Sequence, residues 1–302
     1  MNKSLLSLLL ISSLLSTSFS LAKSEYTKQP NVVYGMYSGL ALLMDVYTPD
    51  QPNGYGIIFI NGSGWHAELG MNTRALKDRP DTLESIGLPL IEEGFTLFII
   101  NHRSAPRFKM PDIIADAQRA VRFVRHHAEK YQIDPNKLTG IGGSSGAHLV
   151  SMLGVMDGKG DPDAEDEVLR QSAKLQCVVA HAAPSDMAAD DTPMFFVTTA
   201  TSTMGIRMPR SESEKQIYRE ASPLYYVTPD DASILLIHGD KDGTVPFSQA
   251  EKFIAKLKET GVPSKFVPVI GGGHGITGNI NNATKGNLPH IKSVADWILE
   301  QL

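Results

Sequence analysis

Gly140-Ile141-Gly142-Gly143-Ser144-Ser145-Gly146-Ala147-His148-Leu149 decides how the chain is read, because it carries Gly-x-Ser-x-Gly at Gly142, Ser144 and Gly146. A serine hydroxyl cannot reach a carbonyl carbon while lying flat in a strand or helix, and a sharp strand-to-helix turn lifts it clear of both elements. The backbone of such a turn is strained and closely packed, so its neighbours must be small. The apolar residues before Gly142 suit the strand, and Ser145 onward, through Leu149 and Leu153, suits the helix. Ser144 is the candidate nucleophile. Ser145 is the rival, but only Ser144 has glycine two residues away on both sides.

Around this stretch, apolar strand candidates alternate with amphipathic helix candidates from residue 31 onward. That alternation predicts an α/β fold with a mostly parallel sheet covered on both faces. The expected strands are 32–37, 40–47, 56–61, 95–101, 137–141, 177–181, 234–238 and 265–270. The first two face each other across Ser38-Gly39 as a hairpin. A helix beginning at Pro111 places Ile113, Ile114, Ala117, Ala120, Val121 and Val124 at helical spacing, with Arg119, Arg122 and Arg125 on the remaining faces. Ser248-Gln249-Ala250-Glu251 has the form of a capping box, leading into a helix that Gly261 stops. The last helix, from Pro289, places Ile291, Val294, Ala295, Ile298 and Leu302 on one side. Residues 184–231, between the sixth and seventh strands, are less periodic. Phe195, Phe196, Val197, Met204, Ile206, Tyr225 and Tyr226 make this segment too apolar for a solvated tether, and it is expected to be a small cap or long loop over the strand ends.

At the start, Lys3, the apolar run 5–15 and Ser20-Leu21-Ala22 have the form of a secretory signal peptide cleaved after Ala22. Serines interrupt the run, and it falls short of the ~20 residues of a membrane span. Residues 23–302 are then expected to form one exported α/β domain, secreted or periplasmic, with no membrane span. Cys177 is the sole cysteine, so packing rather than an internal disulfide must stabilise it. A net charge of −5 shows no basic excess suited to nucleic acid or an anionic membrane. A neutral or modestly polar small-molecule partner fits better.

A nucleophilic serine needs a histidine to take its proton and a carboxylate to hold that histidine's tautomer, in the chain order serine, acid, histidine for this fold class. After the seventh strand comes His238-Gly239-Asp240-Lys241-Asp242-Gly243-Thr244-Val245-Pro246. Asp242 is taken as the acid and Asp240 as a brace for the turn. After the eighth comes Gly271-Gly272-Gly273-His274-Gly275, where packing gives a histidine no reason to sit, so His274 is taken as the base. His126 and His127 fall on the polar side of a helix with no second pair at metal spacing, and no metal or cofactor is called for. His148 is expected to pack beneath the turn, and His102, His181 and His238 end strands nearby. Asn61-Gly62-Ser63-Gly64-Trp65 follows the third strand, and the amides of Ser63, Gly64 and Ser145 are the expected oxyanion donors. Trp65 beside them is the expected substrate contact.

These residues resemble the α/β-hydrolase superfamily, in its esterase/lipase branch with His-Gly-Gly-Gly-Trp near the oxyanion hole. Asp45-Val46-Tyr47-Thr48-Pro49, Arg103-Ser104-Ala105-Pro106, Ile133-Asp134-Pro135 and Ala221-Ser222-Pro223 resemble further motifs of that branch. Asn61 and Ser63 depart from it, standing where the branch has histidine and glycine; Asn101-His102 departs too, where it has a tyrosine before the arginine. The resemblance implies a cofactor-free serine carboxylesterase acting through an acyl-enzyme, of the acetyl, acetylxylan or feruloyl esterase kind. The alternatives are a serine peptidase of the prolyl-oligopeptidase kind, for whose propeller a chain of 302 residues leaves no room, and a non-catalytic binding module. No residue of the expected triad is missing, which weighs against the module.

Overall fold

The computed structural model describes residues 25–67, 70, 72–80, 83–189, 202–204, 211–274 and 289–302. The expected leader 1–22 lies outside these residues, as do Phe195, Phe196, Val197 and Ile206 of the expected cap. Eight strands form one sheet: β1 Tyr26–Tyr37, β2 Leu40–Pro49, β3 Gly56–Ile60, β4 Thr96–Ile100, β5 Leu138–Gly143, β6 Cys177–His181, β7 Ser233–Gly239 and β8 Ser264–Val269. Their order is β1-β2-β4-β3-β5-β6-β7-β8. The β1–β2 and β2–β4 pairs are antiparallel and every other pair is parallel.

The hairpin turns at Ser38 and Gly39, whose φ values of 46° and 82° match the right-handed strand twist. β1 begins six residues earlier than its apolar pattern indicates, at Tyr26 rather than Val32. Backbone pairing carries the polar residues Thr27, Lys28 and Gln29 along β2, and the register shifts between Gln29 and Val32. Asn31, at φ 55°, sits at that shift and its amide donates to Asp45 Oδ1 at 2.9 Å.

The helices are α1 Leu88–Glu92, α2 Met110–His126, α3 Ser145–Val155, α4 Glu212–Glu220, α5 Phe247–Thr260 and α6 Pro289–Gln301. Alternate residues of each inner strand feed opposite layers. Ile58 and Ile60 pack with Ala117, Val121, Leu149, Phe253 and Leu257, the side of α2, α3 and α5. Ile57 and Phe59 pack with Leu90, Ile91, Val294 and Ile298, the side of α1 and α6. Burial on both faces explains why the central strands read as continuous apolar runs. Among the described residues no helix is long and apolar enough to cross a membrane.

The capping box expected at Ser248 does not form. Pro246 is the N-cap, with no side-chain capping bond, and α5 starts at Phe247. Gln249 turns inward instead, where its Oε1 accepts from the amides of Ser185 and Asp186 at 2.9 and 2.7 Å. Gly261, at φ 83°, closes α5 as expected. A capping box does form at α4, inside the segment read as aperiodic. There Ser211 Oγ accepts from the Glu214 amide at 3.3 Å and the Glu214 carboxylate accepts from the Ser211 amide at 2.9 Å.

Candidate active site

The parallel strands all point their C-terminal ends to one rim, and the loops after β3, β5, β7 and β8 meet there. At the end of β5 the chain passes through Ser144 at φ 53° and ψ −121°, a conformation that side chains other than glycine rarely adopt. Its amide is held by the carbonyl of His181 at the end of β6, 2.8 Å away, and its carbonyl starts α3 by accepting from the His148 amide at 2.9 Å. The flanking glycines have a steric cause. A Cβ at Gly142 would lie 2.4 Å from the carbonyl carbon of Gly146, and one at Gly146 would lie 2.0 Å from the carbonyl oxygen of Ile60. The turn is thus formed by backbone in direct contact with backbone.

Ser144 Oγ lies 3.0 Å from His274 Nε2, and His274 Nδ1 lies 2.8 Å from Asp242 Oδ2. With Nδ1–H donating to the carboxylate, Nε2 is left as the acceptor that faces the serine hydroxyl. The Asp242 side chain is 0% exposed, whereas that of His274 is 24% exposed. Burial alone would raise the Asp242 carboxyl. Hydrogen bonds from His238, His274 and the amides of Val245 and Thr244 outweigh it and hold the group well below the usual carboxylate range. Asp240, expected to brace the turn, accepts from the Gly271 amide at 2.6 Å and ties the β7 loop to the β8 loop.

His238 and His148 have defined places. His238 Nε2 stands 3.0 Å from the carbonyl of Val245 and 3.2 Å from Asp242 Oδ2. His148 is enclosed between Trp65 Nε1, which donates to its Nδ1 at 3.2 Å, and the carbonyl of Ala221, 2.7 Å from its Nε2. Both bonds suit a neutral ring protonated at Nε2, and burial lowers its pKa to about 4. His102 Nδ1 faces the carbonyl of Arg103 at 2.6 Å.

The structure corrects two expectations in the loop after β3. Trp65 is 1% exposed and stacks edge-on against His148, with ring centroids 5.1 Å apart, so it faces the interior rather than a substrate. The Ser63 amide donates to Ser145 Oγ at 2.8 Å and is already occupied. Of the three expected donors, the amides of Gly64 and Ser145 remain. Asn61 is buried and donates Nδ2 to the carbonyl of Leu76 at 2.7 Å, while Asn101 Oδ1 accepts from the Leu76 amide at 3.1 Å. These two asparagines, which depart from the resembled pattern, grip one turn, Leu76–Asp78, above the ends of β3 and β4. Arg103 reaches back to Asp116 at 2.8 Å and lies over the ring of Tyr37, 4.3 Å from its centroid. Two residues on, the Ala105 amide donates to the carbonyl of Trp65 at 2.9 Å and supports the same loop.

The family model BD-FAE matches residues 44–257, the stretch from β2 to α5 that includes Ser144 and Asp242. The chain belongs to the BD-FAE family. Its fold resembles the solved structure of a truncated carbohydrate esterase from gut microbiota, with a TM-score of 0.74 and 31% identity, covering 93% of this chain and 98% of the other. Esterase LipC of Mycobacterium tuberculosis is 26% identical over 265 residues, which is 85% of this chain and 62% of LipC. Esterase LipQ of the same organism is 28% identical over 181 residues, 57% of this chain and 40% of LipQ. This BD-FAE member therefore spans between two fifths and just under two thirds of the length of those two relatives. The α/β-hydrolase fold that the resemblance implies, with the mostly parallel sheet that the strand alternation predicts, is the one observed. Among the described residues of this family member, no group of three or more His, Cys, Asp or Glu side chains is arranged to hold a metal.

Proposed function

We propose that the chain is a serine carboxylesterase that hydrolyses short-chain esters, acetyl groups on carbohydrate foremost. The observation that carries this is the continuous line from Ser144 Oγ through the His274 ring to Asp242, with contacts of 3.0 and 2.8 Å. Ser144 Oγ attacks the ester carbonyl carbon as its proton passes to His274 Nε2. The imidazolium so formed is stabilised by the ionised Asp242, and the tetrahedral oxyanion by the amides of Gly64 and Ser145. An amide donor aimed at a developing oxyanion contributes roughly 3–4 kcal/mol to the barrier reduction. Collapse expels the alcohol, which takes the proton from His274 Nε2, and leaves an acyl-Ser144. Water then attacks that ester with His274 as base, releasing the carboxylic acid and restoring the hydroxyl. No cofactor enters these steps.

The carbohydrate reading is supported by the likeness to the gut carbohydrate esterase along nearly the whole of both chains. A leader ending at Ala22 supports export, where such esters would be met as extracellular or periplasmic substrates. The test is hydrolysis of nitrophenyl esters from acetate to dodecanoate, with acetylated xylan alongside, by the wild type and Ser144→Ala. Activity on acetate and xylan that disappears in the variant is expected. Preference for long chains overturns the acetyl assignment, and folded wild type that turns over no ester overturns the reaction.

A further inference from the structure

Ser145 is used for more than its amide. Its side chain is the acceptor for the Ser63 amide at 2.8 Å, and the residue is 1% exposed. One residue earlier, Gly62 is pressed against the turn: a Cβ there would come within 2.6 Å of the Gly143 carbonyl oxygen and 3.1 Å of Ser144 Cβ. One residue beyond Gly64, Trp65 is bonded through Nε1 to His148 and through its carbonyl to the Ala105 amide. Gly64 and Trp65 reverse the chain with φ values of 64° and 61°. The loop is thus fixed by contact at Gly62, by a hydrogen bond at Ser63 and by two more at Trp65, and the Gly64 amide is carried between these points.

We propose that the Ser145 hydroxyl is a positioning residue for the oxyanion site, holding the Ser63 amide and so setting the Gly64 amide against the Ser145 amide. The hydroxyl group comes from the same residue whose N–H is one of the two donors, so the spacing of the pair is set within a single hydrogen bond of the nucleophile's neighbour. Without the hydroxyl, the Ser63 amide would be left without that acceptor in a closely packed place, and the loop would shift to find another. Misplacement of a donor by about 1 Å costs on the order of 100-fold in rate, while ground-state binding is little affected.

The kinetic part of this inference rests on the ester hydrolysis proposed above, and the structural part does not. Ser145→Ala is expected to lower kcat about 10- to 100-fold with KM within about twofold. Affinity for a boronic acid that forms a tetrahedral adduct on Ser144 should fall in step with kcat. Ser145→Thr, which keeps the hydroxyl, should recover most of both. Amide hydrogen exchange at Ser63 should quicken in Ser145→Ala and not in Ser145→Thr, a readout independent of turnover. An unchanged kcat and boronate affinity in folded Ser145→Ala overturns the proposal, as does a fall in kcat without faster exchange at Ser63. A wild type without esterase activity removes the proposed reaction instead, and exchange at Ser63 then still decides whether the hydroxyl holds the loop.

Discussion

Asp242 Oδ2 faces two histidines at once, His274 Nδ1 at 2.8 Å and His238 Nε2 at 3.2 Å. His238 also reaches the carbonyl of Val245, whose amide donates to Asp242 Oδ1 at 2.9 Å. It therefore clamps the Asp242 turn from the strand that leads into it. His238→Leu should lower kcat about tenfold with little change in KM, through loss of one hydrogen bond to a charged group. His238→Gln, which keeps an N–H, should lose less. Equal steady-state constants for all three proteins would show that the clamp is dispensable.

The two carboxylates after β7 should separate cleanly. Asp242→Asn replaces an acceptor of four donors with a group that presents an N–H of its own, and a loss of about 10³- to 10⁴-fold in kcat is expected. Asp240→Asn keeps an oxygen for the Gly271 amide and should cost less than tenfold. The reverse order in kcat would exchange their roles.

The glycines of the serine turn should be intolerant for steric reasons alone. Gly146→Ala places a methyl where the Ile60 carbonyl oxygen lies at 2.0 Å, and backbone cannot yield as a side chain can. A destabilisation of about 3 kcal/mol or more is expected, read as a shifted urea midpoint. Gly243→Ala, where no atom lies within 4 Å, should leave the midpoint unchanged.

Acid should weaken the fold before it titrates the surface carboxylates. His148 has a folded pKa of about 4 against an ordinary value of 6.5, so the unfolded chain binds its proton first as pH falls. The stabilisation is complete above pH 6.5 and is lost progressively down to about 4, amounting to roughly 3 kcal/mol. Asp242 acts in the same direction lower down: its depressed carboxyl stabilises above the ordinary carboxylate pKa, and that contribution disappears as pH falls through the folded value. Urea midpoints between pH 7 and 4 should fall along this slope, and His148→Gln should flatten its upper part. A slope between pH 6.5 and 5 that is the same in both proteins would place the acid sensitivity elsewhere.

The sheet and the meeting of Ser144, Asp242 and His274 were legible because each depends on local sequence. Apolar runs mark the strands, and the fold delivers the loop after each strand to one rim. Local sequence misleads where the deciding partner lies far along the chain. Trp65 stands beside the glycine turn of the expected oxyanion site and reads as a substrate contact, but its partner His148 is 83 residues away. The Ser63 amide is spent on a hydroxyl 82 residues away. The Ser248 box failed for a similar reason, since Gln249 is drawn inward by Ser185 and Asp186 and Pro246 already fixes the entry of α5. The Ser211 box, by contrast, is local to Ser211-Glu212-Ser213-Glu214, and what hides it is the weak apolar periodicity of the segment around it.

His274 follows β8, the last strand of the sheet, which among the described residues pairs only with β7 and has no fully buried position. Ser144 follows β5, which is paired on both sides. His274, the proposed base, is therefore anchored to the edge of the sheet, and Ser144, the proposed nucleophile, to its middle. Mild heating or dilute urea should detach the edge first, silencing the proposed ester hydrolysis while the centre stays intact. Activity should accordingly vanish at a lower urea concentration than the fluorescence of buried Trp65 changes, and coincident transitions would show that edge and centre melt as one.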